Sequence, residues 1–191
     1  PWLGLGEFYT KGEPREASVA VSMIESGNWI LPEVYANEVA YKPPMMHWLI
    51  SAFSYPQGYV SEFTSRLPSA LALIAMVAFA LIFFGKRVKF QQAFIAALLL
   101  ITAFETHRAG ITARVDMLLA CFMFIGMIQL FRWEEKQELK GLPILIPLLL
   151  SCAVLTKGPV GVLLPLLVFG VYLFVLGYPL HRILKALFYA G

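Results

Sequence analysis

Three short motifs in this chain place a basic residue just before proline and an apolar run. They are Lys42-Pro43-Pro44, Arg66-Leu67-Pro68 and Lys157-Gly158-Pro159. Proline is well tolerated at the first position of a helix, so each motif predicts a helix N-terminus with a cation beside it. Such a terminus attracts anions through its unpaired N–H groups and the helix dipole. We therefore predict phosphate-binding roles for Lys42, Arg66 and Lys157.

The two lysines differ in how strongly their surroundings indicate a ligand. Lys42 is interpreted either as a ligand for phosphate or carboxylate, or as a lysine that extends to the lipid headgroups. Lys157 lies in a short turn between two apolar runs, where a lysine without an anionic partner is costly. Gly158 lets the backbone come close to a ligand.

Several acidic residues are candidates for proton transfer. Asp116 is interpreted as a catalytic or metal-binding carboxylate, as a group that orients a sugar, or as a helix-start carboxylate paired with a nearby arginine. Glu13 and Glu16 flank Arg15 at the start of an amphipathic segment. A carboxylate there acts either as a partner of the helix dipole or as a general base.

A third polar group precedes Asp116 and contains Glu105, His107 and Arg108. A single histidine is more often a structural group than a ligand. No cluster of His, Cys and Asp has the spacing of metal ligands. The sequence therefore predicts no certain cofactor, and a divalent metal stays an open alternative that the ligand spacing does not support.

The composition places the chain in a membrane. Hydrophobic residues make up 59% of the chain and charged residues only 14%, against about 25% in soluble domains. The net charge of +3 is small and gives no indication of a nucleic-acid partner. The chain begins at Pro1 and ends as a new apolar stretch opens, so we expect it to be part of a longer protein.

The apolar pattern predicts an all-α, polytopic transmembrane helical bundle. Residues 1–60 are mixed in composition and predict a large extracytoplasmic loop with interfacial helices at 14–26 and 43–55. Residues 61–191 predict a transmembrane region of about five spans and the start of a sixth. The apolar runs cover roughly 67–84, 90–106, 115–132, 142–156 and 159–177, and the next begins near 183.

Loop charge predicts the orientation of these spans. Basic residues follow the first, third and fifth runs, and the positive-inside rule places those loops in the cytoplasm. The N-terminal loop, the 105–115 turn and the Lys157-Gly158 turn then face outward. Charged residues at helix ends that converge on one face predict a site there.

The order of the motifs along residues 12–165 resembles the GT-C type of lipid-linked glycosyltransferases, in the branch of aminoarabinose transferases and protein O-mannosyltransferases. The matching segments begin with Glu13-Pro14-Arg15-Glu16-Ala17 and Gly27-Asn28-Trp29. They continue with Lys42-Pro43-Pro44, Arg66-Leu67-Pro68, Arg114 with Asp116, and Thr156-Lys157-Gly158-Pro159-Val160-Gly161. The resemblance implies an integral bacterial inner-membrane enzyme whose active site faces outward.

The resemblance also implies an activity. Such enzymes move a hexose or pentose from a polyprenyl-phosphate donor to an acceptor hydroxyl, with inversion at the anomeric carbon. The acceptors are a lipid such as lipid A, a glycan or a protein. The implied partners are therefore the polyprenyl-phosphate sugar, this acceptor and the bilayer.

The family pattern also assigns roles to individual residues. It implies Glu13 as base or acceptor-orienting group and Asp116 as a second carboxylate, with Lys42 and Lys157 near the donor phosphate. Arg15, Arg108 and Arg114 are further candidates for substrate binding. The chain departs from the family at Gly12 and Tyr41, where many members carry acids. Tyr41 therefore weakens the inference of a metal bound at that position.

Two other functions compete with this interpretation. A transporter or flippase for an anionic lipid or solute would also need lysines at helix ends. Transporters, however, often contain internal repeats and helices broken at mid-membrane, and no repeat is seen here. A non-enzymatic membrane subunit would leave the three basic–proline motifs unexplained.

Overall fold

Helices form the regular structure of the chain, as the long apolar runs predict. The computed structural model describes residues 3–4, 6–8, 10, 12–34, 38–137, 139 and 143–191. Across these residues the helices are α1 (Gly12–Ser26), α2 (Met45–Ser54), α3 (Glu62–Phe84), α4 (Phe90–Thr102), α5 (Phe104–Ile111), α6 (Val115–Gln137), α7 (Leu145–Lys157), α8 (Val160–Val175) and α9 (Leu180–Ala190). A single isolated β-bridge joins Glu33 and Val39 within the same described ranges. The fold class is all-α.

The chain divides into two compact units, Pro1–Cys121 and Phe122–Gly191. In the first unit α1 packs on α2, α2 packs on α3, and α3 packs on α4 and α5. Met23, Met46 and Ile50 are fully buried between these helices. Burying one such side chain contributes roughly 1.5–3 kcal/mol, so this contact fixes α1 against α2.

The second unit has its own apolar core. Leu130 and Trp133 on α6 pack with residues of α7, α8 and α9, among them Leu150, Phe169 and Leu173. At the turn between α7 and α8, the backbones of the two helices come very close to each other. A Cβ added at Gly161 would lie 2.4 Å from the carbonyl carbon of Ala153, so glycine is required there.

Two helices of the described ranges are long and apolar enough to cross a membrane, Glu62–Phe84 and Val115–Lys136. The pair α4 and α5 makes a third if it is one span, and a bend of 65° separates its two parts. Helices α7 and α8 are apolar but shorter. The five membrane spans predicted for residues 61–191 and the extracytoplasmic loop predicted for residues 1–60 therefore remain predictions. The described residues of each apolar run are mainly helical.

Two of the three basic–proline motifs begin helices as predicted. Helix α2 begins just after Pro44, and α8 begins just after Pro159. The prediction for Arg66-Leu67-Pro68 is wrong, because α3 begins four residues earlier than Arg66 and contains Pro68. Ser61 caps α3 by accepting a hydrogen bond from the backbone N–H of Thr64, and this reciprocal capping box sets the helix start.

The 105–115 segment also differs from its prediction as a simple turn. Residues Phe104–Ile111 form helix α5, which packs closely on α3. A Cβ added at Gly110 would lie 2.4 Å from the Cδ2 atom of Leu73, so the two helices approach closely at that glycine. Glu105, His107 and Arg108 therefore lie on a helix.

Candidate active site

Two glutamates lie on the buried face of α1. Glu13 and Glu16 are three residues apart, and Ala17, Ala20 and Met23 continue the same face of the helix. Glu13 is 0% exposed and Glu16 is 2% exposed. A buried carboxylate is costly unless it is paired and hydrogen-bonded, so each must have charged or N–H partners.

Glu13 is bound by groups from three parts of the first unit. Its Oε1 accepts hydrogen bonds from Arg66 Nε at 2.9 Å and from the backbone N–H of Ala113 at 3.0 Å. Its Oε2 accepts one from the backbone N–H of Thr10 at 3.2 Å. Glu13 thus joins α1 to α3 and to the segment before α6.

Arg66 is almost completely buried and is held by protein oxygens. Beyond its ion pair with Glu13, it donates from Nη1 to the carbonyls of Leu3 at 2.8 Å and Gly6 at 3.1 Å. Its Nη2 donates to the carbonyl of Glu7 at 2.8 Å. These contacts favour a structural role that fixes the N-terminal segment. Phosphate binding by Arg66 remains a prediction.

Two charged side chains, Arg114 and Asp116, lie next to Ala113 at the start of α6. Arg114 Nε lies 3.4 Å from Asp116 Oδ2, and both side chains are more than a third exposed. The Ser69 hydroxyl on α3 donates to the carbonyl of Arg114 at 3.1 Å. A Cβ at Gly12 would lie 4.0 Å from Arg114 Nε, so Gly12 borders the same arginine. Asp116 is therefore an accessible carboxylate beside the buried Glu13 network.

Lys42 lies in the short segment that leads into α2 and pairs with Glu16. Its ammonium contacts Glu16 Oε1, and His47 Nε2 lies 2.8 Å from Glu16 Oε2. His47 is 1% exposed and sits in the first turns of α2. The carboxylate of Glu16 is thus shared by one lysine and one histidine.

The charges around Glu16 keep it ionised. Burial on its own would raise the pKa of Glu16, but the hydrogen bonds from His47 and Lys42 and the positive charge of Lys42 lower that pKa below its usual value. An ionised carboxylate only accepts hydrogen bonds, so the His47 nitrogen that faces it carries the hydrogen.

The remaining predicted site residues lie as follows. The Arg15 guanidinium stacks over the Tyr41 ring at 4.0 Å from its centroid. Arg108 pairs with Glu105 on the exposed side of α5, with Nη2 at 2.5 Å from Oε2. Lys157 is the last residue of α7 in the second unit, and Gly158 follows it with a φ of 82°. The meeting of Lys157 with Lys42 and Asp116 in one pocket remains a prediction.

Glu16 was predicted only as a helix-start carboxylate or a general base, without its pairing with Lys42, and His47 was not among the predicted site residues. A signal for Glu16 was available, because its spacing from Glu13, Ala20 and Met23 places it on the apolar face of α1. A signal for His47 was weaker. It follows Lys42-Pro43-Pro44 within an apolar helix, where a histidine is unremarkable by itself.

A comparison with known families shows the family of the chain. A profile of the family described as dolichyl-phosphate-mannose-protein mannosyltransferase matches residues 41–191. The chain belongs to this family of lipid-linked glycosyltransferases, as the order of its motifs predicted. It is accordingly part of a polytopic membrane protein.

Curated proteins similar to this chain include two arabinosyl transferases. An undecaprenyl phosphate-alpha-4-amino-4-deoxy-L-arabinose arabinosyl transferase of Shewanella sediminis is 27% identical over 174 residues, which cover 87% of this chain and 31% of that protein. The chain spans about a third of the length of the curated relatives that it matches.

Two crystal structures of ArnT from Cupriavidus metallidurans have the same fold. The apo structure has a TM-score of 0.83 at 24% identity and covers 96% of this chain and 35% of ArnT. The structure bound to undecaprenyl phosphate has a TM-score of 0.81 at 23% identity and covers 98% of this chain and 37% of ArnT.

Proposed function

We propose that the full-length protein transfers a sugar from a polyprenyl-phosphate donor to an acceptor hydroxyl, with inversion at the anomeric carbon. The observation that carries this proposal is the pairing of Lys42 with the buried carboxylate of Glu16 at the entry to α2, in a chain of this family. A transferase of this kind needs a fixed cation where its lipid-phosphate leaving group departs. The related ArnT binds undecaprenyl phosphate.

Lys42 and Lys157 are proposed to bind the donor phosphate. Each lies at a turn into an apolar helix, next to prolines that lack an N–H group. As the glycosidic bond to phosphate breaks, negative charge grows on the phosphate oxygens. An ammonium near those oxygens stabilises the transition state most strongly where water is scarce.

Asp116 is proposed as the general base. It is more accessible than Glu13, and Arg114 beside it holds a positive charge near the acceptor. Removal of a proton from the acceptor hydroxyl by a positioned carboxylate contributes roughly 10²–10⁴-fold to the rate. Glu13, which is fully buried, supports this site by orienting Arg66 and the Ala113 backbone. Arg15, Arg108 and Arg114 remain proposed substrate contacts.

The site is proposed to face the extracytoplasmic side of the bacterial inner membrane. The basic loops after the first, third and fifth apolar runs support this orientation through the positive-inside rule. The acceptor class follows from the branch of the family, in which lipid A, other envelope glycans and proteins are the candidates.

The experiment that tests the function uses the full-length protein in lipid nanodiscs. It is incubated with polyprenyl phosphate that carries a radiolabelled sugar and with a bacterial membrane extract, and the products are separated. We expect the label to leave the polyprenyl lipid and to appear on one acceptor class. Folded protein that leaves all label on the lipid, with every candidate acceptor supplied, would contradict the proposal.

A further inference from the structure

The contact between Glu16 and Lys42 occupies the cation that the donor phosphate needs. Among the residues that the structure describes, Glu16 is the one carboxylate paired with the Lys42 ammonium. The lysine side chain is 17% exposed and the glutamate side chain 2% exposed, so the pair sits at the edge of a buried region. A phosphate that approaches from the open side meets a lysine that is already neutralised.

The Glu16 carboxylate changes the electrostatic attraction between the Lys42 ammonium and an incoming phosphate. Two unit charges a few ångströms apart near a protein surface interact several times more strongly than in bulk water, because the effective dielectric constant there is about 20. A carboxylate on Lys42 therefore offsets much of the attraction that the ammonium exerts on an incoming phosphate. Glu16 also repels that phosphate directly.

His47 gives Glu16 a second partner. His47 Nε2 is hydrogen-bonded to Oε2 of Glu16, whereas the Lys42 ammonium is hydrogen-bonded to Oε1. The two bonds therefore use different oxygens of the same carboxylate. When Lys42 turns toward a phosphate, Glu16 stays buried and keeps the bond from His47. Without His47, release of Lys42 would leave the buried carboxylate of Glu16 with no side-chain hydrogen-bond donor among the described residues, which is strongly unfavourable.

The second nitrogen of His47 indicates that this residue is not there for packing. Nδ1 is buried and has no hydrogen-bond partner within the described part of the chain. A buried polar atom left without a hydrogen bond destabilises the fold, and an apolar side chain of similar volume would avoid that cost. The one polar contact that His47 makes there is the bond to Glu16.

We infer that Glu16 is an internal competitor of the donor phosphate for Lys42, and that His47 holds Glu16 when the phosphate takes Lys42. Glu16 and His47 are positioning residues, because they act through Lys42. The inference rests on the proposed phosphate role of Lys42. It gives the site a way to hold its lysine ordered when empty and to release the polyprenyl phosphate after transfer.

The test measures the dissociation constant of undecaprenyl phosphate for the full-length protein in nanodiscs. Glu16→Gln keeps the shape and an acceptor oxygen but removes the competing charge, so binding should tighten about tenfold. His47→Met removes the alternative partner, so Glu16 stays on Lys42 and binding should weaken about tenfold. His47→Gln, which keeps an N–H donor near the Nε2 position, should restore binding to within about threefold of wild type.

The two variants are expected to change the affinity for undecaprenyl phosphate in opposite directions. A purely structural role of these residues would instead make both Glu16→Gln and His47→Met weaken binding. Glu25→Gln is the matched control, since it removes an exposed carboxylate from the same helix and should leave binding unchanged. Weaker or unchanged binding in Glu16→Gln, while Lys42→Met abolishes binding, would overturn the inference alone. Undiminished binding in Lys42→Met would overturn the phosphate role of Lys42 as well.

Discussion

At the scale of single residues, the site consists of two buried carboxylates with different duties. Glu13 is tied to Arg66 and to backbone N–H groups, and Glu16 is tied to Lys42 and His47. The first arrangement holds elements together, and the second places a lysine and a histidine on one carboxylate. Their spacing of three residues lets one helix face serve both purposes.

Loss of Arg66 should destabilise the first unit strongly. Arg66→Ala leaves the Glu13 carboxylate buried without its cation, which costs about 3–5 kcal/mol. Chemical unfolding of the full-length protein in detergent would measure this change. Arg108→Ala is the control, because its ion pair with Glu105 is exposed, and stability should change little. Equal stability of Arg66→Ala and wild type would show that Glu13 is not held as described.

Glu16 should make stability depend on acid pH. Its pKa in the folded protein is lowered, so its contribution is present above the usual glutamate value of 4.5 and is lost as the pH falls below it. Wild type should therefore lose more unfolding free energy than Glu16→Gln between about pH 6 and about pH 3.5. Unfolding curves at the two pH values measure the difference. Parallel losses in both proteins would contradict the assignment, and Glu25→Gln should behave as wild type.

At the scale of elements, the sequence predicted where helices occur better than where they begin. The glycine after α1 and the prolines before α2 and α8 are local signals, and these ends agree with them. The start of α3 was missed because Ser61 and Thr64 form a cap well ahead of the predicted start, so that the helix begins at Glu62. Helix α5 was missed because its polar composition resembles a loop, and its packing on α3 is a tertiary effect.

The same difference between local sequence signals and tertiary packing explains which parts of the site could be predicted. Lys42 and Asp116 were predicted as site residues from motif and position, because a charge at the edge of an apolar run is visible in the sequence. The partners of Glu13 were not, because Arg66 and Ala113 are far away along the chain. Only the packing of α1 against α3 brings them together.

The α7–α8 turn should depend on a glycine. Gly161→Ala puts a methyl group against the Ala153 backbone, and relief of that overlap should cost about 1–3 kcal/mol. Gly170→Ala lies in the same helix and meets only the end of the Leu187 side chain at 3.4 Å. It should be neutral or stabilising. Thermal unfolding compares the two variants, and an equal shift in both would show that the close approach carries no energy.

At the scale of the whole molecule, the chain is a helical membrane unit that places charged residues at helix ends. The apolar helices provide the hydrophobic span, and the charges of Lys42, Asp116 and Lys157 are kept at turns or helix ends. This arrangement suits an enzyme whose donor is a lipid with an anionic headgroup. Residue chemistry, helix placement and family membership all agree with that proposal.

The most direct measurement is the rate of sugar release from a polyprenyl-phosphate donor by full-length protein with Lys42→Met, at saturating acceptor. Lys89→Met serves as the control, because Lys89 is exposed and lies in a loop predicted on the opposite side of the membrane. We predict at least a hundredfold loss of kcat/KM for the donor in Lys42→Met, about 2.7 kcal/mol of transition-state stabilisation, and no change in Lys89→Met. Transfer by Lys42→Met at the wild-type rate would contradict the account.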